Sequence, residues 1–293
     1  MSADTNAPIA TATPPGDHVG SLRRMNEPIH IISLGAGVQS STMALMAKHG
    51  EITPMPAEAI FADTQSEPQD VYDYLAYLTP MLPFPVHIVT TGNLEADFLR
   101  ALSDPNGRCG QPPFYVWNDK KQVEATLWRK CTKEYKLDPI RRKVRELRQG
   151  RSVVQWIGIS LDEAHRMKDS RVKYIENLYP LVNRRMNRHD CLLWMERHGY
   201  AKPPKSACRF CPYISNARLR AMKDNRPGDW AKLVAFDNAM RTAQRDTVNG
   251  AKITGTLYVH RSCKPIQDVD LSTDIDRGQG ELFGNECEGM CGV

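Results

Sequence analysis

Short apolar runs alternate with helix-like segments along the first two thirds of the chain. The runs have the length of buried strands, and the segments between them have the spacing of helices. The predicted strands cover residues 29–34, 59–62, 86–90 and 152–159, and the predicted helices cover residues 40–48, 69–78, 93–102 and 137–149. Strands separated by helices predict an α/β fold, with an open, mostly parallel sheet and helices on both faces.

Polar residues follow three of the predicted strands at the point where each strand ends. They occupy residues 35–42, 63–67 and 160–166. Ligands of open parallel sheets bind outside the carboxyl ends of the strands. The convergence of three polar clusters on that edge predicts a ligand site there.

The first cluster joins a strand to a helix through small residues, Gly35-Ala36-Gly37-Val38-Gln39-Ser40-Ser41. Such a turn lets backbone N–H groups approach a phosphate, and the helix N-terminus adds partial positive charge. The absence of a following Lys excludes an ordinary Walker loop, and Ser40 replaces the last glycine of a G-x-G-x-x-G fingerprint. The alternative is a tight turn with an N-capping serine.

The texture of the chain changes beyond residue 183, where strand-like runs become rare. We predict a disordered leader over residues 1–27 and a nucleotide-binding domain over residues 28–183. A smaller, helical, cysteine-containing region is expected over residues 184–267, and a flexible tail over residues 268–293.

Composition limits the cellular setting. The 293 residues include 25% charged residues and eight cysteines. The sequence contains no apolar run near the ~18 residues that span a bilayer, and residues 1–20 lack the features of a secretory signal. We expect a cytoplasmic protein without a membrane partner, whose cysteines are reduced, bind metal or act in catalysis.

Positive charge is concentrated between residues 129 and 151, where ten Lys or Arg accompany three Asp or Glu. This segment predicts contact with a phosphate-rich ligand or with nucleic acid. Tyr135 and Trp156 lie near it in sequence and would supply aromatic contacts. The alternative is a helix with a solvated charged face.

Five segments together resemble a known family. The first cluster resembles the PP-loop, S-G-G-x-D-S, of the adenine nucleotide alpha-hydrolase superfamily. The other four resemble elements of its phosphoadenosine phosphosulfate reductase branch, in the same order along residues 29–215: Phe61-Ala62-Asp63-Thr64, Cys131 to Ile140, Trp156 to Arg166 and Cys208-Arg209-Phe210-Cys211-Pro212. The combination is also similar to reading frames of bacteriophages and prophages.

The resemblance implies a Rossmann-like sheet that binds ATP or a phosphoadenosine phosphosulfate-like nucleotide. It implies either adenylyl activation with sulfur transfer or thiol-dependent reduction, with a thiol reductant or sulfur donor as partner. The residues that it assigns to the nucleotide are Gly35, Ala36, Gly37, Gln39, Ser40, Ser41, Asp63, Thr64, Lys136, Arg141, Gly158, Glu163 and Arg166.

The PP-loop of this chain departs from the family pattern at three positions. Gly35 replaces the first serine, Ala36 the following glycine and Gln39 the aspartate. Loss of the aspartate removes a carboxylate that could position Mg²⁺, so magnesium, if used, would rely on Asp63. Asp63 is otherwise expected to contact the ribose or to act in catalysis.

A metal site is expected at the cysteines. Cys208 and Cys211 have the spacing of two thiolate ligands to one metal, and the resemblance adds Cys131. Cys191, at a predicted helix start, and Cys263, beside cations, compete as the fourth ligand, and we choose Cys191. The resemblance favours a 4Fe–4S cluster, and zinc is the alternative.

The tail carries a second pair of cysteines. Glu286-Cys287 resembles the mobile C-terminal element that carries the nucleophile in adenylyl sulfate reductases, and Cys291 could resolve a mixed disulfide. We therefore predict Cys287 and Cys291 as catalytic. The alternatives are an exposed tail or additional metal ligands.

Two other functions remain open. The chain could modify DNA or tRNA by nucleotide-activated thiolation or phosphorothioation. It could also bind a nucleotide or nucleic acid as a non-catalytic regulator.

Overall fold

A computed structural model describes residues 27–243, 247–249 and 251–273 and residue 276. The strands are β1 (Ile29–Ser33), β2 (Glu58–Asp63), β3 (Val86–Thr90), β4 (Tyr115–Asn118), β5 (Val123–Thr126), β6 (Val153–Ile157), β7 (Ile175–Leu178), β8 (Thr247–Val248), β9 (Ala251–Lys252) and β10 (Thr256–Tyr258).

The α-helices are α1 (Val38–Lys48), α2 (Gln69–Leu78), α3 (Leu94–Ser103), α4 (Asp138–Arg148), α5 (Pro180–Asn183), α6 (Arg188–Arg197), α7 (Asn216–Asn225) and α8 (Pro227–Ala243). A π-helix, Thr132–Leu137, runs directly into α4. Short 3₁₀ turns cover Thr79–Met81, Leu161–Arg166 and Ile266–Asp268.

The central sheet has five strands in the order β3-β2-β1-β6-β7. Every neighbouring pair is parallel, with Ile31 of β1 opposite Glu58 and Ile29 opposite Val153. This confirms the predicted α/β, Rossmann-like class. The chain builds outward from β1 to β3 and then returns to the other side of β1 with β6. The reversal places a topological switch point between β1 and β6, where open sheets form ligand crevices.

Helices cover both faces of this sheet. On one face, α1, α2 and α6 pack on Ile32, Phe61 and Trp156. On the other, Ile140 and Val144 of α4 pack on a layer that includes Ile31 and Ile60. The strands are apolar on both faces because both faces are covered.

A second core lies beside the sheet. It unites α3, α7 and α8 with an antiparallel sheet of order β10-β4-β5 around four phenylalanines whose rings contact one another, Phe98, Phe114, Phe210 and Phe236. Helix α6, beyond residue 183, packs in the first core, whereas α3 packs in the second.

The β4–β5 hairpin interrupts the helix–strand alternation and was not predicted. Its pairing with β10 joins segments about 140 residues apart along the chain. Among the described residues, no helix combines the length and the apolar character that crossing a membrane requires.

Candidate functional site

An open cleft lies at the switch point, at the carboxyl ends of β1 and β6. Its volume is about 1100 Å³ including its mouth. Its walls include Gly35, Gly37 and Ser40 from the loop after β1, and Gly158 directly after β6. The cleft occupies the position that the strand-end clusters predict.

The loop after β1 exposes the N-terminus of α1 to the cleft. Ala36 adopts a left-handed backbone conformation with φ 54°, and Gly37 is the N-cap with no side-chain hydrogen bond. The first intrahelical bond at this end runs from Ser41 N to Gly37 O, 3.0 Å. The preceding N–H groups of the helix have no partner within it, so they form a donor set suited to an anion.

Ser40 fixes the shape of the loop. Its Oγ accepts a hydrogen bond from the Gly35 N–H, 3.1 Å, and donates to the Gly37 carbonyl, 3.4 Å. Gly158 packs directly on this residue, because a Cβ at position 158 would lie 2.8 Å from both the Cα and the N of Ser40. The end of β6 and the first turn of α1 therefore touch backbone to backbone.

A polar network crosses the cleft at Gln39. The Gln39 Nε2 donates to Glu163 Oε2, 3.3 Å, and to Ser160 Oγ, 3.4 Å. The Gln39 Oε1 accepts from Arg188 Nη1, 3.4 Å. Glu163 also forms an ion pair with Arg166. Gln39 thus joins the turn after β6 to the start of α6.

Positive charge dominates the cleft. Among the described residues that line it, one carboxylate, Glu163, is present with five cations, Lys136, Arg166, Arg188, Lys205 and Arg218. Arg218 donates to the Lys205 carbonyl, and burial lowers the pKa of its guanidinium. Arginine keeps its charge under these conditions. The arrangement suits a ligand with several negative charges.

Three of these cations, together with Ser206, were missed by the sequence reasoning. Arg188, Lys205 and Arg218 belong to the cysteine-containing region, which enters the cleft beside the loop after β1. Gly37 shows how close the approach is, since a Cβ there would lie 3.7 Å from the Ser206 Cβ. Of these four residues, only Arg188 has a signal in the local sequence, because it follows Asn187, a strong N-capping residue that marks a helix start.

Five predicted nucleotide residues lie outside the lining of the cleft, and one of them, Ala36, is fully buried in the first core. The Asp63 carboxylate accepts from the Tyr72 hydroxyl, 2.8 Å, and from the Gln65 N–H, 2.7 Å. Ser41 is fully buried in α1. Arg141 lies 3.9 Å from Asp138 on α4. Thr64 instead lines a neighbouring cavity.

The neighbouring cavity, of about 430 Å³, brings together three of the predicted metal ligands, Cys131, Cys208 and Cys211. Lys136 and Cys211 line both this cavity and the cleft. The two spaces therefore adjoin, with cations on one side and thiols on the other.

A buried carboxylate lies behind this shared wall. Glu67 is 1% exposed and lies 3.4 Å from Lys136 Nζ. The same Oε1 atom accepts from Thr64 Oγ1, 3.5 Å, and from Cys208 Sγ, 3.7 Å. Thr64 and Cys208 are themselves 3.2 Å apart. Glu67 thus connects a cleft cation to a cavity thiol.

The other predicted cysteines do not join this group. Cys191 is fully buried in the first core, where desolvation and the nearby Asp162 raise the pKa of its thiol to about 12. Cys263 lies near Glu124, and burial raises its pKa. Neither lines the cysteine cavity. Cys287 and Cys291 lie outside the described residues.

The three cavity thiols are not arranged around one point. Within the described ranges, no three Cys, His, Asp or Glu side chains are grouped so as to hold a single metal ion. The thiols instead border a void. Three thiols that border one void are the donor type of an iron–sulfur cluster and of a zinc site alike.

Comparisons with known proteins add two distant structural likenesses. No protein-family model and no curated protein matches the chain. Among solved structures, the chain is similar to a phosphoadenylyl-sulfate reductase from Candida auris in complex with phosphate, at 13% identity and a TM-score of 0.40, over 63% of this chain and 80% of that one.

The second is the U34-tRNA thiolase NcsA from Methanococcus maripaludis with its 4Fe–4S cluster. It shares 16% identity and a TM-score of 0.38, over 85% of this chain and 86% of that one. Because both TM-scores are below 0.5, we base no argument about function on either likeness.

Proposed function

We propose that this chain is a PP-loop enzyme that binds an adenine nucleotide in the cleft and carries out sulfur transfer or thiol-dependent reduction. One observation supports the proposal most strongly: the N-terminus of α1 and five cationic side chains line the same cleft at the switch point. Helix N-termini and guanidinium groups are both suited to phosphate.

The nucleotide phosphates lie against the N–H groups that begin α1, with Gly37 and Ser40 shaping the loop. Arg166 and Lys136 neutralise their charge, and Glu163 and Gln39 hold the guanidinium groups of Arg166 and Arg188 in place. The ordering of these groups before the ligand arrives lowers the reorganisation needed in the transition state.

Two reactions are proposed for a nucleotide bound in this cleft. In sulfur transfer, a substrate oxygen attacks the α-phosphorus of ATP and pyrophosphate leaves; a sulfur nucleophile then displaces the adenylylated oxygen as AMP. In reduction, two thiols become a disulfide, and their two electrons release sulfite from an adenylyl sulfate. Cys287 and Cys291 are proposed as the thiols of the second reaction.

Cys131, Cys208 and Cys211 are proposed to hold an iron–sulfur cluster. When bound, such a cluster supplies a redox-active sulfide-containing group beside the nucleotide. The wall that the cavity and the cleft share at Cys211 supports this proposal, because a cluster held there would lie beside the proposed nucleotide site.

Product analysis tests the reaction. We expect anaerobic protein to release sulfite and adenosine 3′,5′-bisphosphate in equal amounts from phosphoadenosine phosphosulfate with a dithiol, or AMP and pyrophosphate from ATP with a sulfur acceptor. Nucleotide binding without either product contradicts the enzymatic proposal and favours a non-catalytic regulator.

Metal analysis tests the cluster. Anaerobically purified protein is expected to be brown and to contain iron and sulfide in similar amounts. C131S, C208S and C211S should lose them, whereas C191S, the matched control in the first core, should keep them. Stoichiometric zinc without iron, or equal loss in C191S, contradicts the assignment.

A further inference from the structure

Trp128 is an exposed aromatic side chain on a fixed backbone. Its side chain is 84% exposed. The preceding residue, Leu127, donates its N–H to the Phe114 carbonyl, 2.9 Å, and Lys130 donates to the Gln111 carbonyl, 3.0 Å. Leu127 also packs against the second core. An anchored segment therefore holds the indole in solvent. The exposed ring forgoes the favourable free energy that burial of its apolar surface would provide.

Cations surround this indole along the chain. Between residues 119 and 133, five Lys or Arg accompany two Asp or Glu. Lys130 is exposed two residues after Trp128, and Lys120 and Lys121 are exposed in the turn of the β4–β5 hairpin. An exposed aromatic ring with an exposed lysine two residues away, and two more at the other end of β5, matches the chemistry of an unpaired base on a phosphate backbone.

The same surface leads to the cysteine cavity. Arg129 and Cys131, which flank Lys130, both line that cavity. Tyr213, 39% exposed, lines the cavity and the cleft. Trp128 thus stands outside a short wall whose inner side faces the thiols.

The aromatic residues considered in the sequence analysis cannot serve here. Tyr135 and Trp156 are buried in the two cores. Their rings have no free face for a ligand. Trp128 takes the place that those two residues were expected to fill.

We propose that Trp128, with Lys120, Lys121 and Lys130, forms a docking surface for a single-stranded nucleic acid. One unpaired base stacks on the indole, Lys130 contacts the adjoining phosphates, and Lys120 and Lys121, at the other end of β5, contact phosphates further along the strand. A single strand is favoured over a duplex because duplex bases keep their faces stacked on one another. The surface is separate from the nucleotide cleft and does not depend on the function proposed for it.

Fluorescence anisotropy with a labelled 12-nucleotide single strand of mixed sequence tests the proposal. We expect W128A to weaken binding about 5- to 150-fold and W128F to retain most of the affinity. K130Q should reduce the slope of log K against log salt by about 0.7, the value for one phosphate contact on a single strand. K48Q, at the far end of α1, is the matched charge control and should leave both unchanged.

Three results would overturn the proposal. They are equal binding by W128A and the unaltered protein, equal affinity for the single strand and its duplex, and a dimer that W128A dissociates without any binding of oligonucleotide. The last result, from sedimentation at several concentrations, would assign the surface to a second copy of the chain. Thermal unfolding and ATP titration of W128A separate these results from misfolding and from failure of the cleft.

Discussion

Gln39 illustrates how much of this site depends on single residues. It stands where the resembling family has a PP-loop carboxylate, and its amide joins Glu163 to Arg188 across the cleft. Side-chain amides donate and accept at once, which a carboxylate cannot do. The substitution therefore couples three segments of the chain rather than simply removing a charge.

A substitution at Gly158 tests the backbone contact between the end of β6 and Ser40 in the first turn of α1. G158A should weaken nucleotide binding by at least tenfold and destabilise the fold by about 1–3 kcal/mol, because its Cβ would meet the Ser40 backbone at 2.8 Å. Calorimetric titration and urea unfolding measure the two effects. G228A is the control, since a Cβ there meets nothing within 4 Å; equal effects of both variants contradict the contact.

Variants of three arginines distinguish binding in the cleft from attraction to the basic surface as a whole. The three residues are Arg166, Arg188 and Arg141. R166Q and R188Q should each weaken nucleotide binding about tenfold or more, because charged hydrogen bonds to phosphate are lost. R141Q should leave it unchanged, since Arg141 lies near Asp138 outside the cleft. Similar losses in all three variants would favour a diffuse electrostatic attraction over a built site.

His30 makes the folding stability of the protein depend on pH. Burial lowers the pKa of His30, and its Nδ1 lies 2.9 Å from the Trp156 Nε1 donor, so the ring is neutral. Below the unfolded value of 6.5, the unfolded chain binds the proton more readily, so stability falls as the pH decreases.

Urea unfolding at pH 7.5 and 5.5 measures this effect. The unaltered protein should lose more stability on acidification than H30Q, whose amide oxygen can still accept from Trp156. H189Q, on the exposed surface of α6, is the matched control and should behave as the unaltered protein does. A steeper pH dependence in H30Q than in the unaltered protein would reverse the sign and contradict the argument.

At the scale of elements, the first turns of α6 and α1 position groups that face the cleft. Helix α6 begins with a capping box between Asn187 and Asp190, and the Arg188 N–H donates to Asp162, 3.1 Å. These bonds fix the backbone that carries Arg188 into the cleft. The start of α1, in contrast, has no side-chain cap, and its donors face the ligand space.

Asn187 and Asn93 form a matched pair of N-caps. N187A and N93A should each lower the unfolding free energy by about 1 kcal/mol. N187A should also weaken nucleotide binding, because α6 carries Arg188. N93A should leave nucleotide binding unchanged, because Asn93 caps α3, which lies outside the cleft. An unchanged affinity in N187A would contradict the positioning role of the cap.

The sequence predicted local elements well where periodicity was strong. The helix at Gln69–Leu78 and the strand at Val86–Thr90 agree with the structure at both ends. The β4–β5 hairpin was missed because its stability comes from pairing with β10, far along the chain. The π-helix was missed because Pro139 marks a helix start, so the predicted helix began at residue 137 and left out residues 132–136.

At the scale of the whole molecule, the site forms where two cores meet. The loop of residues 35–41, Gly158, Glu163 and Arg166 follow strands of the parallel sheet, and the strand-end pattern of the sequence predicted polar residues at that edge. Lys205 and Arg218 reach the cleft only because the second core lies against the sheet edge. Such contacts depend on tertiary packing, which no local pattern encodes.

Isothermal titration of ATP and adenosine into the protein tests the central claim most directly. The cleft predicts 1:1 binding of ATP, at least tenfold weaker binding of adenosine, and loss of that preference in the R166Q/R188Q double variant. Absence of ATP binding by the correctly folded protein, or a phosphate preference that survives in the double variant, would contradict it.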